Sequence, residues 1–285
     1  MIFCYTVYTE VKNEVSVIYT YIKELLLGED IGLFAPIPLS ACKITKKYLL
    51  DREGIENGTV IMIAVPYLSE GLVGAHNISA YCAVRDYHGY FAGLFKRILP
   101  LLSERFPKNR FAGFTDHSPI DERAAAAHAG IGIYGKNGML ITEKYSSYVF
   151  LGELITDAEI PCKSHAIKEC EGCMKCRREC PMVEIGQCLS ALTQKKGEFT
   201  GSEAEAVKKY GSAWGCDICQ EVCPHTLRAI KDGTIYTNIE YFKKGVIPVL
   251  DLSTLDSMSD GEFLTRAFSW RGRETIRRNL LLLGK

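Results

Sequence analysis

Residues 14–27, with VSVIYTYIKELLL in the middle, repeat apolar side chains at helical spacing and predict an amphipathic helix. Ile31 to Pro36 reads as a short strand. Thr59 to Pro66, TVIMIAVP, is a β-branched apolar run without polar alternation, the pattern of a buried strand. Tyr90 to Phe106 returns to helical periodicity, and Arg110 to Thr115 predicts another short strand. Ser118-Pro119 looks like a helix start, with Ser as N-cap, Pro at the first helical position and Asp121 and Glu122 in the first turn. That helix is expected to run to about Ala129 and to stop at Gly130. The turn GIGIYGKNG at 130–138 follows, where Gly130, Gly132 and Gly135 are expected to supply positive φ. Strands are expected at Met139–Thr142 and Tyr148–Ile155.

Helix and strand thus alternate through about the first 155 residues, which predicts an α/β layer architecture. From 160 to 230 the pattern breaks into short helices and loops, and 231–285 reads as an irregular stretch with a terminal helix. This divides the 285 residues into an α/β domain at 1–160, a loop-rich domain at 161–230 and a helical tail at 231–285.

Hydrophobic residues make up 47% of the chain, enough for a sizeable core and too many for disorder. No apolar run approaches the ~20 residues of a membrane helix. The start, MIFCYTVYTEVKNEV, lacks the basic and long apolar regions of a signal peptide, so a cytoplasmic protein with reduced thiols is expected. Lys+Arg and Asp+Glu each number 34, a balance that argues against a strongly basic nucleic-acid binder. The C-terminal stretch is a local exception. Arg266, Arg271, Arg273, Arg277, Arg278 and Lys285 stand against Glu274 alone. Such a run is either a phosphate-facing patch or a solvated helix face.

Twelve cysteines change the picture. Cys170-x2-Cys173-x2-Cys176-x3-Cys180-Pro181 is one run, Cys216-x2-Cys219-x3-Cys223-Pro224 is another, and Cys188 lies between them. Three thiolates at i, i+3 and i+6 followed by Cys-Pro follow the bacterial ferredoxin pattern, in which the last cysteine of a run reaches the neighbouring cluster. Structural zinc also uses Cys-x2-Cys pairs, but those pairs are usually a dozen or more residues apart. The spacing therefore favours two [4Fe–4S] clusters and one-electron transfer. Cys4, Cys42, Cys82 and Cys162 are isolated and read as small buried hydrophobes.

Several further segments, taken with these runs, resemble the epoxyqueuosine reductase family. They are Arg85-Asp86-Tyr87-His88, Asp116-His117-Ser118-Pro119 with Glu122-Arg123, Ala129-Gly130-Ile131-Gly132 with Gly135-Lys136-Asn137, and Phe150-Leu151-Gly152-Glu153-Leu154. Cys188-Leu189-Ser190 and Gly215-Cys216-Asp217-Ile218-Cys219-Gln220 complete the set. The order and spacing hold from about residue 59 to 230.

The resemblance implies reduction of an epoxide to an alkene on a tRNA wobble nucleoside, with cob(I)alamin as reductant and an external low-potential electron donor. It implies a cobalamin-binding α/β domain related to the corrinoid domains of reductive dehalogenases, then a ferredoxin-like domain; the sequence does not set the oligomeric state, and a monomer is favoured. One cluster falls to Cys170, Cys173, Cys176 and Cys223, the other to Cys180, Cys188, Cys216 and Cys219. Asp116 maps to the family's proton donor. Lys136 and Asn137 map beside the cobalamin. Ser190 and Asp217 map to cobalamin contacts or, read from the residues alone, to hydrogen bonds within the cluster loops. A short form is also implied, without the helical-repeat domain with which many members grip the anticodon stem-loop. Two other readings stay open: a corrinoid reductase of another substrate, and an electron-transfer module without a substrate of its own.

Overall fold

The computed structural model describes residues 16–74, 76–183 and 186–285. Residues 14 and 15 of the predicted first helix, and Cys4, lie outside them. The described residues form two compact units, between which the chain crosses several times. The first takes residues up to Val65, Tyr90–Gly135 and Phe150–Cys170. The second takes Pro66–Gly89, Lys136–Val149 and Glu171–Lys285.

The first unit is built on a four-stranded sheet. Its strands are β1 (Phe34–Pro38), β2 (Thr59–Pro66), β3 (Phe111–Phe114) and β4 (Val149–Thr156), in the order β1-β2-β4-β3. β1 pairs antiparallel with β2, and β3 antiparallel with β4, Phe114 lying opposite Glu153. The two central strands are those with the longest apolar runs, and all eight residues of β2 are buried.

Helix α1 (16–28), α2 (Lys47–Glu53), α3 (Tyr87–Arg105) and α4 (Glu122–His128) accompany the sheet. Within α3, Phe91, Leu94, Phe95, Ile98 and Leu102 repeat at three and four residues and are all buried, one apolar stripe. Two strand glycines receive its rings. A β-carbon at Gly113 would lie 2.3 Å from the Phe95 ring, and one at Gly152 would lie 2.4 Å from the Phe91 ring.

Two details of the sequence reading change. α4 starts later than expected, and its N-cap is Asp121, whose carboxylate accepts from the Ala124 N–H. Ser118 lies in the turn ahead of the helix, where its oxygen accepts the Ile120 N–H at 3.1 Å while its hydroxyl is given to Glu153. In the following turn, Gly130 and Gly138 take positive φ (+81° and +78°), in place of the expected Gly132 and Gly135.

The second unit is a set of short helices: α5 (Lys175–Arg178), α6 (Leu189–Thr193), α7 (Gly201–Tyr210), α8 (Ile218–Glu221), α9 (Pro224–Lys231) and the terminal α10 (Arg273–Leu283). Met182, Leu189, Leu192, Ala206 and Val207 form one of its cores, onto which Cys180, Cys216, Leu282 and Leu283 pack. α7 opens with a capping box between Thr200 and Glu203.

The C-terminal arginines act as structural ties, which settles part of the earlier ambiguity. Arg273 donates to the Leu255 and Met258 carbonyls at 2.8 and 2.7 Å. Arg277 pairs with Asp256, and Arg278 lies over the Phe199 ring, 3.7 Å from its centroid. Arg266 is only 3% exposed. Among the described residues no helix is long and apolar enough to cross a membrane.

Candidate functional site

The cysteines of the second unit are positioned by backbone that turns back on itself. Gly172 (φ +69°) and Met174 (φ +59°) are both left-handed and curl the loop that carries Cys173. Cys176 then sits on α5 and Cys219 on α8, and these two helices pack together. Cys223 is the N-cap of α9, with Pro224 at its first position. An N-cap residue is extended and exposes the free N–H groups of the first turn, so the Cys-Pro step ends the loop and starts the helix. His225 Nε2 meets Glu171 Oε2 at 2.9 Å and ties α9 to the first cysteine run.

Cys216 and Cys219 feel neighbouring thiols. Burial pushes the Cys219 thiol up to about 12, and Cys216, Asp217, Cys188 and Cys176 push it in the same direction. Cys216 is raised to about 11, first by burial and then by Asp217, Cys188 and Cys180. Neighbouring thiolate charges repel one another, and a cationic metal centre relieves that repulsion. Among the described residues no three ligand side chains converge to the spacing of a single bound ion. A four-iron cube is wider than one ion and spreads its thiolates further apart. The donor set, all thiol and grouped by loop, fits iron–sulfur clusters.

Asp217 stands between two of these cysteines and is 3% exposed. Its Oδ1 accepts the Ser79 hydroxyl at 2.5 Å and the Gln220 amide at 2.9 Å, and its Oδ2 accepts the Ala80 N–H at 2.6 Å. Burial raises its pKa despite these bonds. Gln220 in turn accepts from Ser147 at 2.9 Å. Both carboxylate oxygens are thus spent on holding the loop. Gly215, at φ +74°, lets the chain pass Ser79 closely, since a β-carbon there would lie 2.4 Å from the Ser79 Cβ.

Ser190, in α6, accepts the Gln194 side-chain amide at 3.0 Å and keeps its own proton to donate. Asn137 Nδ2 reaches the Cys219 carbonyl at 3.4 Å, and its Oδ1 accepts the Met139 N–H. Lys136 opens the same segment. Asn137 and Ser190 therefore place half-buried polar groups in the unit that carries Cys216 and Cys219, and such groups can hydrogen-bond amides. Cys216 also lines a cleft of about 170 Å³ together with His76, Asn77, Ser79 and Tyr210.

Cys170 closes the first unit. Its N–H donates to the Tyr134 carbonyl at 2.9 Å, and the segment before it is pinned by His165 N–H to the His128 carbonyl at 2.8 Å.

Asp116 also belongs to the first unit, in the turn between β3 and α4. Its φ is +59°, unusual for a residue with a side chain. Its N–H donates to Glu122 Oε1 at 3.1 Å. Next to it, Lys46 Nζ donates to His117 Nδ1 at 3.3 Å, so Nε2 carries the hydrogen toward the Tyr48 hydroxyl at 2.9 Å. Glu153 lies beneath this turn, fully buried on β4.

The roles of Glu122 and Glu153 were not apparent from the chain alone, although one carboxylate within the apolar strand VFLGELIT was a usable signal. Ser79 gave no local signal, because its partner is 138 residues away.

No family model matches the chain. Among curated proteins it is 32% identical over 216 residues to the epoxyqueuosine reductase of Gloeobacter violaceus, covering 72% of this chain and 68% of that one. It is 34% identical over 281 residues to the epoxyqueuosine reductase of Bacillus subtilis, covering 90% of this chain and 70% of that one. Its span falls to 54% of the length of the Bacillus cereus relative.

Among solved structures, the epoxyqueuosine reductase of Streptococcus thermophilus superposes with a TM-score of 0.72 at 24% identity, over 93% of this chain and 80% of that one. An epoxyqueuosine reductase solved with an epoxyqueuosine-modified tRNA-Tyr stem loop gives 0.70 at 22% identity, over 93% and 81%. At these identities the structural likeness establishes the fold.

Proposed function

The chain belongs to the epoxyqueuosine reductase family, a family of oxidoreductases, and from that premise we propose that it reduces epoxyqueuosine to queuosine in the anticodon stem-loop of tRNA, in the cytoplasm. The reading is carried by one observation. Identity of 34% extends over nine tenths of the chain, and the cysteine runs lie within this chain at ferredoxin spacing.

The reaction takes two electrons and two protons, forms a carbon–carbon double bond and releases the epoxide oxygen as water. Cys170, Cys173, Cys176 and Cys223 would hold one [4Fe–4S] cluster, and Cys180, Cys188, Cys216 and Cys219 the other. Cobalamin, when bound, supplies the low-potential chemistry that no side chain offers. Lys136, Asn137 and Ser190 would meet its polar periphery. Asp217 would hold the cluster loop, its carboxylate being engaged by Ser79, Ala80 and Gln220.

Asp116 would donate the proton to the oxygen as the C–O bond opens. The left-handed turn holds its backbone, and the Lys46–His117–Tyr48 chain borders it on an exposed face. An external low-potential donor would supply electrons one at a time, and the cleft at Cys216 offers that ligand an approach.

The test is turnover. The anaerobically reconstituted chain, given cobalamin, a strong reductant and tRNA carrying epoxyqueuosine, is expected to yield queuosine in the digested nucleosides. A chain that binds and reduces cobalamin yet leaves epoxyqueuosine intact would overturn the substrate.

A further inference from the structure

Glu153 is the most deeply buried acid of the first unit, at 0% exposure, and it lies opposite Phe114, two residues before Asp116. Its Oε1 accepts the Ser118 hydroxyl. Its Oε2 is buried and has no hydrogen-bond partner. Among the described residues no cation pairs with it. The group facing it is a second acid, Glu122, whose Oε1 already accepts the Asp116 N–H at 3.1 Å.

Such an arrangement is unfavourable with two charges. Two carboxylates forced together in a buried place do not both ionise. It is also incomplete with Glu153 ionised, because a charged oxygen would be left without a donor. One proton resolves both. Placed on Glu153 Oε2, it turns the unpartnered oxygen into a donor toward Glu122. Glu122 then keeps its charge and its grip on the Asp116 amide.

We propose that Glu122 and Glu153 hold a single proton between them, and that this carboxyl–carboxylate pair is the device that seats the Asp116 turn. Both are positioning residues. Their consequence for catalysis rests on the assignment of Asp116 as proton donor, whereas the proton sharing and the seating do not.

The surroundings agree in direction. Burial is the chief cause that raises Glu153, and Glu122 raises it further. Burial is also the chief cause that raises Glu122; the hydrogen bond from the Asp116 N–H and the Lys46 charge oppose it, while the Asp116 charge adds to it. Cys42, the remaining titratable group that feels Glu153, is pushed up to about 12, first by burial and then by Glu153 and Cys162. It therefore stays neutral at ordinary pH and adds no further negative charge. As pH rises, the shared proton is lost, two charges confront each other, and the side chain beneath Asp116 is driven from its place.

The full chain can be tested without substrate or cofactor. Infrared titration of the carboxyl stretch is compared between wild type and Glu153→Gln, and exchange of the Asp116 amide hydrogen is followed by NMR in these two and in Glu122→Ala. A protonated carboxyl band is expected to persist through neutral pH in the wild type and to vanish in Glu153→Gln. Protection of the Asp116 amide should fall at least tenfold in Glu122→Ala. In the wild type it should be lost at alkaline pH, and in Glu153→Gln it should survive there, because the glutamine amide replaces the proton.

Full ionisation of both acids at neutral pH would overturn the proposal, as would Asp116 protection indifferent to Glu122→Ala. If Asp116 is not the proton donor, these spectroscopic results stand unchanged.

Discussion

Ser79 gives its hydroxyl to Asp217 across 138 residues of sequence, at 2.5 Å, and thereby fixes the loop between Cys216 and Cys219. The neighbouring Ala80 N–H takes the other oxygen at 2.6 Å. Removing the carboxylate strands these two donors and the Gln220 amide in a buried place, and hydrogen bonds to a charged group contribute about 1.5–3 kcal/mol each. Asp217→Ala is expected to lower stability by about 3 kcal/mol and to cut cluster retention. Asp217→Asn, which can still accept from one donor, should lie between. Anaerobic iron analysis and urea unfolding of the same preparations measure both effects. Full iron content with Asp217→Ala would remove the loop-holding role.

The thiols of the second unit set a pH rule for metal uptake. Cys216 and Cys219, held at about 11 and about 12, are protonated at neutral pH when no metal is present. Binding as thiolate must expel those protons, so uptake releases acid and apparent affinity rises with pH. Iron reconstitution in weak buffer is expected to acidify the solution, and clusters to be lost more readily at pH 5 than at pH 8. Cys216→Ala should halve the iron. Stoichiometric zinc in oxygen-free protein would contradict the reading.

Asp116 combines a left-handed backbone with the proton-donor role proposed for it. A left-handed backbone costs a residue with a side chain about 1–2 kcal/mol, and less for Asp. Glycine carries no such penalty. Asp116→Gly is therefore expected to raise stability by up to about 1 kcal/mol while reducing turnover by about 10²-fold or more. Asp116→Asn keeps the turn and should lose the same turnover. Thermal unfolding and single-turnover assays separate the two effects. Undiminished turnover in Asp116→Asn with cobalamin bound would exclude it as the acid.

Much of the framework was legible where local pattern carried it. TVIMIAVP became a wholly buried strand because an unbroken β-branched run has no solvent face to offer. The break into short helices after residue 160 was legible too, and Cys176, Cys219 and Cys223 lie on or at the start of such helices. What escaped was set by distant partners. Ser118 looked like an N-cap but lies in the turn ahead of the helix, its hydroxyl given to Glu153, and the terminal arginines looked solvated until backbone carbonyls and rings claimed their guanidinium groups. Glu122 and Glu153 were visible as residues, but their relation belongs to the register that sets β4 beside β3.

The glycines of β3 and β4 show how a strand position can be fixed by a helix. The Phe91 ring occupies the space a side chain at Gly152 would need, with ring atoms 2.4 to 2.9 Å from the position of its Cβ. Rigid ring carbons cannot yield that distance, so α3 would have to lift from the sheet. Overpacking of this kind typically costs about 1–3 kcal/mol, and more where the backbone must move. Gly152→Ala is expected to destabilise by about 3 kcal/mol. Phe91→Leu in the same chain should return part of the loss, because the branched side chain is shorter and can turn aside. Additive costs in the double variant, measured by urea unfolding, would mean that the ring and the glycine do not share this space.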